Sequence, residues 1–367
     1  MKKYLFSELI EEITELNTEL LYGLNDIVGV TIEKGLIPTI ANLTKTELNK
    51  FYVVKPDTFV FNPRTHGVRL GMGYNDTENT YITSWNNVAF KVKEEVRDFL
   101  NPQYLWLYFN RSEWDRETNY HAWGSSTIVF SWNTFRNLSI KLPEKEEQDK
   151  IVRQYNIIEN RIKMKKQIND NLEATARAIY KKMFIEDVDL ANLPNDWQIT
   201  ELGSVAELSA GGDRPTVYND FQTDICQVPI FSNGIDKEGL YGYTDKAKIF
   251  DESVTVSARG TVGYVFLRDE PYVPIVRLIS VIPNTKYVTA KYLYFALADI
   301  DLQSTGTSQQ QITVPDFKKR LITVPNRASM CRFTEHIEPL FKTMKQNKAE
   351  ILSLMALQTN YLALLSR

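Results

Sequence analysis

The sequence predicts an α+β protein built as a tandem repeat: two globular domains, each followed by a long helix, the two helices pairing as an antiparallel coiled coil. Three observations carry this. Ile151, Tyr155, Ile158, Ile162, Leu172, Ala176, Ile179 and Met183 recur on alternating steps of three and four, the a/d seam of a coiled-coil helix. Phe333, Ile337, Leu340, Met344, Asn347, Ile351, Leu354, Gln358, Tyr361 and Leu365 repeat that seam at one constant offset. Upstream of each seam the likeness continues, with Phe135-Arg136-Asn137-Leu138-Ser139-Ile140-Lys141-Leu142-Pro143 aligning on Phe317-Lys318-Lys319-Arg320-Leu321-Ile322-Thr323-Val324-Pro325. Further back, Tyr4, Ser7, Glu8 and Leu9 are matched to Trp197, Thr200, Glu201 and Leu202.

The elements follow in order. Residues 1–142 form the first domain. A helical opening is expected over 5–24, then strands over 51–54, 58–61, 81–83 and 88–92. Asn101-Pro102 introduces a buried aromatic helix over 104–109, a polar loop runs from 111 to 126, and an extended stretch from 127 to 142 closes the domain. The first long helix covers 143–184. Pro143 opens it, and no further Pro or Gly appears before Pro194. At 1.5 Å per residue it would reach roughly 60 Å, too long to bury its seam without a partner helix. Lys165 and Asn169 interrupt the seam, so its centre is polar. Antiparallel pairing about the helix centres sets Asn169 by Asn347 and Lys165 by Ile351, an amide pair that would fix the register.

Residues 185–196 are a linker. The second domain covers 197–325, with strands expected over 227–231, 254–257, 262–267 and 275–281 and an aromatic helix over 291–298 whose Tyr292-Leu293 echo Tyr104-Leu105. The second long helix covers 326–367.

Composition narrows the function classes. The chain has 367 residues, enough for two domains, and 43% of them are apolar, enough for two cores. Its 43 Lys and Arg against 46 Asp and Glu give a net charge of −3, which argues against a nucleic-acid binder working alone. Cys226 and Cys331 are too few for a zinc site or a disulfide framework and suit a reducing compartment. Glu8, Glu11 and Glu12 stand where a signal peptide needs its apolar core, and no apolar run approaches eighteen residues, so a soluble, cytoplasmic protein without membrane contact is expected.

Catalytic chemistry is missing from the sequence. There is no phosphate-binding GxxxxGK[ST] loop and no HExxH. Gly71-Met72-Gly73 is a lone GxG. Asn62-Pro63-Arg64-Thr65 lacks the second proline and the aromatic ring with which an amino-methyltransferase stacks its target base. No catalytic residue and no metal site is therefore assigned. What remains is polar and aromatic chemistry in loops, arranged twice. The first domain offers Arg64, His66, Arg69, Tyr74, Arg111, Tyr120, Trp123 and Ser125. The second offers Arg214, Asn233, Tyr241, Tyr243, Arg259, Thr261, Thr307, Ser308, Gln309 and Gln310. Arginine reads guanine bidentately, Asn and Gln read adenine, and hydroxyls hold phosphates. Taken singly, each is also what an ordinary solvated loop carries.

Several segments resemble the specificity subunit of a type I restriction–modification system. Pro143-Glu144-Lys145-Glu146-Glu147-Gln148-Asp149-Lys150-Ile151 is similar to that family's Pro-x-x-x-Glu-Gln-x-x-Ile opening of its first long helix. Leu172-Glu173-Ala174-Thr175-Ala176-Arg177-Ala178-Ile179-Tyr180 with Phe184 resembles the end of that helix. Leu193-Pro194 with Trp197, Leu202-Gly203 and Val205 resembles the start of its second target-recognition domain. Ser257-Ala258-Arg259-Gly260-Thr261-Val262-Gly263 and Gly306-Thr307-Ser308-Gln309 resemble its recognition loops. In the second helix, Ser329 and Met330 replace the Glu-Gln pair.

The resemblance implies two DNA target-recognition domains, each reading half of a split double-stranded target, spaced by a helical ruler. It implies docking of two methyltransferase (modification) subunits and of restriction/translocase subunits. No cofactor is implied for this chain; S-adenosylmethionine, ATP and Mg²⁺ would belong to the partners. Two other classes stay open on the residues alone, a fragment of a fused methyltransferase–specificity enzyme and a coiled-coil adaptor with no DNA role.

Overall fold

The structure is a computed structural model that describes residues 1–39, 46–65, 69–124, 128–186, 188–189, 192–260, 262–300 and 311–365. It divides into two compact units, Met1–Lys166 with Ala349–Arg367, and Gln167–Lys348. Both boundaries fall inside the long helices, Lys145–Lys181 and Arg327–Leu364.

The first unit is built on a four-stranded antiparallel sheet in the order Ile10–Glu12, Val88–Val92, Thr58–Phe61, Met72–Tyr74. Phe59 and Phe61 face the main core, while Val60 joins Val54 and Ala89 in a second, smaller one. A strand buried on both faces reads as an unbroken apolar run, which is why Thr58–Phe61 does not alternate. Phe6, Phe59, Phe61, Phe90, Phe109, Trp114, Phe130 and Phe135 are fully buried around it. Each such side chain contributes roughly 1.5–3 kcal/mol relative to exposure. The helix Pro102–Phe109 starts two residues before the expected 104, because the Asn101 side chain accepts from the Gln103 and Tyr104 amides and Pro102 occupies a position whose N–H has no helical partner.

Three sequence expectations for this unit need correction. The opening is helical only over Phe6–Leu9, and Ile10–Glu12 is instead captured as a strand by Val88–Val92. Residues 112–121 form a helix rather than a loop; Trp114 and Thr118, one turn apart, are its buried stripe. The closing stretch is interrupted by the helix Trp132–Asn137, capped by the Ser131 hydroxyl, which accepts from the Thr134 amide.

The second unit repeats the plan. Its sheet runs Ala206–Ala210, Ile279–Pro283, Ser253–Val256, Val265–Arg268, the same order with the same antiparallel pairing. Two of its strands begin three and four residues later than expected. Lys2–Leu5 on Ser139–Leu142 in the first unit corresponds to Gln198–Glu201 on Leu321–Val324 in the second. These registers place Lys2 opposite Leu142 and Gln198 opposite Val324. Tyr4 therefore corresponds to Thr200 and Phe6 to Leu202, not Tyr4 to Trp197. The backbone agrees: the Phe6 amide donates to Leu138 O and the Leu202 amide to Arg320 O.

Both units contain antiparallel helix pairing. In the second, Asn347 Nδ2 donates to Asn169 Oδ1 at 2.8 Å, and Asn169 Nδ2 reaches Met344 O at 3.3 Å. Fifteen residues further along the first helix, the Phe184 ring lies 5.1 Å from that of Phe333, fourteen residues earlier in the second helix. In the first unit, Tyr361 donates to Gln154 Oε1 at 2.5 Å and Lys165 Nζ lies 2.9 Å from Glu350. Hydrogen bonds from Lys165 and Arg161 hold the Glu350 carboxyl below the usual carboxylate range. The expected register is thus present, and Lys165 takes an ionic partner beside Ile351. Pro339 lies inside the second helix and removes one backbone donor there.

Asn347 is buried, so Asn347→Ala is expected to lower stability by about 1–2 kcal/mol in chemical denaturation, since it strips a partner from Asn169. Replacing both asparagines by leucine is expected to recover that loss while letting the register slip, detectable as crosslinking between mismatched cysteine pairs along the seam. Among the described residues, no helix is long and apolar enough to cross a membrane.

Candidate nucleic-acid interface

In the second unit four loops meet at one end of the fold, tied by backbone hydrogen bonds. The Val276 amide donates to Gly212 O at 2.9 Å, and the Arg277 amide to Gly211 O at 3.1 Å. Asn233 bridges the other two loops: its Nδ2 donates to Val276 O at 2.6 Å, and its Oδ1 accepts from the Ala258 amide at 2.8 Å. The Asn233 amide is thereby occupied with positioning, while Arg259, next to Ala258, is exposed.

Val276 and Arg277 are consecutive non-glycine residues in the left-handed region, at φ 53° and 64°. Such strain persists only where the surroundings over-determine it. Gly211 supplies part of that determination, because a Cβ there would lie 2.7 Å from the Pro274 carbonyl carbon and the Ile275 nitrogen.

Arg214 lies over the Tyr218 ring at 4.5 Å, and the Tyr218 and Tyr241 rings are 5.6 Å apart. Tyr218 donates a hydrogen bond to Asp220, which raises its phenol pKa. Tyr243 is half-buried and exchanges backbone hydrogen bonds with Asn219. Gly242 between the two tyrosines lets this loop lie against the strand, since a Cβ would meet the Tyr218 ring at 2.5 Å. Arg214, Arg259 and Arg277 are all exposed, and none has an ion-pair partner among the described residues. Other basic groups of this unit are engaged: Arg268 with Glu238, Lys291 with Glu252 and Glu338. Burial lowers the pKa of Arg268 to about 10.

In the first unit, Arg64–Thr65 pairs with Ile128–Val129, and Val129 in turn exchanges backbone hydrogen bonds with Trp123. Arg64 and Trp123 thus flank one short strand. Trp123 is 82% exposed and Tyr120, on the last turn of the neighbouring helix, 84%. Arg69 Nε lies 3.6 Å from Asp115, whose other oxygen holds the buried Lys34 at 2.6 Å.

Two expected contact residues lie elsewhere. Tyr74 is buried, stacked on Phe59 at 4.5 Å with its hydroxyl donated to Asp57 at 2.5 Å. Arg111 is also buried, lying over the Tyr108 ring at 3.7 Å and donating to Tyr108 O and Leu365 O. Both belong to packing rather than to exposed loops: Tyr74 lies on the strand Met72–Tyr74 between the Phe59 and Trp106 rings, and Arg111 stands at the start of a helix, 112–121, rather than in a loop. His66, Ser125, Thr261, Thr307, Ser308, Gln309 and Gln310 lie outside the described residues. The sequence reading missed Tyr218, Arg277 and Lys34. Arg277 was hidden in a run read as strand, and only the backbone reveals it as a loop.

The type I restriction modification DNA specificity domain family matches this chain twice, over residues 16–174 and 194–353, and the chain belongs to that family. It is 31% identical over 155 residues to a putative type I specificity subunit of Mycoplasma pneumoniae, covering 42% of this chain and 46% of the relative. A second such subunit from that organism is 29% identical over 147 residues, 40% of each chain. The chain thus spans less than half the length of these two relatives. The specificity subunit of a type I restriction enzyme of Methanocaldococcus jannaschii is 21% identical over 287 residues, 70% of this chain and 66% of that one. Among solved structures, the S subunit of the type I restriction–modification system from M. genitalium superposes with a TM-score of 0.60, covering 99% of this chain and 95% of that one at 14% identity, a likeness of fold.

Proposed function

We propose that this chain is the DNA sequence-specificity subunit of a type I restriction–modification complex and carries no catalytic centre of its own. Its two units would each read one half of a bipartite double-stranded target, and the long helices would set the gap between the halves. The observation that carries this reading is the duplication: the same sheet order occurs twice, and each unit gathers exposed arginines and aromatic rings at its loops. Guanidinium groups without carboxylate partners are free to take guanine edges or phosphates.

Two methyltransferase subunits and the restriction/translocase subunits would assemble on it in the cytoplasm, with S-adenosylmethionine, ATP and Mg²⁺ bound by those partners. Apolar side chains left exposed along the helices, Ile157, Met164, Leu352, Met355 and Leu357, suit such assembly. A net charge of −3 fits a subunit whose partners supply part of the phosphate-binding surface.

Arg259→Ala tests the second unit. It is expected to weaken discrimination at one half-site by about 1–3 kcal/mol, leaving the other half-site unchanged, in competition binding with singly substituted duplexes. Equal loss on every sequence would instead make Arg259 a phosphate contact.

A further inference from the structure

The strand registers align the two units residue by residue, and they bring one side chain to the same place in both. With Phe6 matched to Leu202, Ile10 opposite Val92 corresponds to Ala206 opposite Pro283. On the next strand, Phe90 opposite Phe59 then corresponds to Val281 opposite Val254. Counting on from Phe59 and Val254, Asn62-Pro63-Arg64-Thr65 falls on Ser257-Ala258-Arg259-Gly260. The backbone beyond the strand agrees. The Asn62 amide donates to Gly71 O at 2.9 Å as the Ser257 amide does to Tyr264 O at 2.9 Å. Pro63 O accepts from the Phe130 amide at 2.8 Å as Ala258 O does from the Ile312 amide at 3.0 Å.

Of these four aligned positions only the arginine is the same residue in both units. Arg64 and Arg259 are exposed, and neither guanidinium has an ion-pair partner among the described residues. Their supports differ. Asn62 Oδ1 accepts from the Arg64 amide itself at 2.9 Å, whereas Asn233, from another loop, holds the Ala258 amide at 2.8 Å. Different local sequences thus deliver one guanidinium to the same end of the same sheet. Arg277 has no such counterpart. The Leu278 amide donates to Ile275 O as the Asn87 amide does to Ser84 O, which sets Arg277 on Asn86.

A side chain common to two otherwise different loops suits a feature common to both halves of the target. A guanidinium has five donors and no acceptor, so that feature must present acceptors. Phosphates do so all along DNA, and among base edges in the major groove only guanine offers two, O6 and N7. A phosphate can be met by a mobile stem, whereas a forked contact demands fixed geometry. Here the chain is pinned at the residue before each arginine, by the Phe130 and Ile312 amides. We propose that Arg64 and Arg259 make one contact twice, each forking onto O6 and N7 of a guanine, so that both halves of the split target contain that base. This rests on the function proposed above.

The test sets the assembled complex, with the parent chain, Arg64→Ala or Arg259→Ala, against duplexes altered at one base pair at a time. Each variant is expected to lose roughly tenfold of the preference for a single G·C pair. The two pairs lie in different half-sites, and the penalty for every other single change stays as in the parent. A residue that merely supports the fold would show no such coupling to one base pair. Equal weakening on every duplex, coupling to an A·T pair, or coupling for one variant only overturns the inference. The methylated motif of the parent complex is a second readout that needs no variant: a half-site made only of A·T pairs overturns it too. A parent complex that prefers no duplex would overturn the proposed function along with it, whereas the preceding outcomes leave that function standing.

Discussion

Gln148→Ala is expected to destabilise the first unit by about 3 kcal/mol, because it strips the partner from one partly buried N–H and two partly buried carbonyls, each costing roughly 1 kcal/mol, the low end of the range for an unsatisfied group. For a unit of this size that corresponds to a fall of roughly 6–12 °C in its thermal transition. The hydrogen bonds of the Gln148 side chain all go to groups of the first unit, so the transition of the second unit should stay in place, and calorimetry should resolve two events where the parent shows less separation. Gln148→Met copies the residue at the corresponding position of the second unit. It restores volume without the hydrogen bonds and should recover only part of the loss.

Inserting one heptad into a single long helix, after Lys166, is expected to be more damaging still. Asn169 would lose Asn347, and every seam residue on one side of the insertion would face a partner seven places out of register. Ile151, Val152 and Tyr155 share a core with Tyr361, Leu362 and Leu365 in the first unit, while Ala176, Tyr180 and Phe184 share one with Phe333 and Ile337 in the second. Both sets cannot be kept at once. Either helix pairing or one core must be given up, and loss of the helical signal on mild heating or protease cleavage within the long helices would report it. Retention of full stability would mean that the helix pair contributes little to either unit.

How far the sequence could be read depended on whether the periodicity had one interpretation. The heptads did: every seam residue is buried or half-buried, and the Asn169–Asn347 amide pair followed from antiparallel symmetry alone. Short strands buried on both faces, such as Thr58–Phe61 and Val88–Val92, were legible as compact apolar runs between turn residues. The opening segment was not, because Ile10–Glu12 suits a helix by spacing and becomes a strand only through a partner some eighty residues away. Ser112–His121 was obscured by its polar composition, since two residues per two turns carry its buried face.

Site residues divided along the same line. Arg259, Tyr120 and Trp123 stand exposed, whereas Tyr74 is claimed by the core through Asp57, seventeen residues away, and Arg111 through its neighbour Tyr108 and the distant Leu365. Arg277 emerges only from its left-handed backbone beside Gly211.

The central claim is that two units read two half-sites whose gap is set by the helices. Its most direct measurement is the methylated DNA motif in cells carrying the complex with one heptad inserted into both helices, after Lys166 and after Ala349, positions matched by the pairing of Lys165 with Glu350 and of Asn169 with Asn347. The seam and both cores are then preserved. Seven helical residues add about 10 Å, close to three base pairs of B-DNA at roughly 3.4 Å each. Unchanged half-sites separated by a gap about three base pairs longer are expected. An active variant that methylates the original motif with its original gap would contradict the central claim.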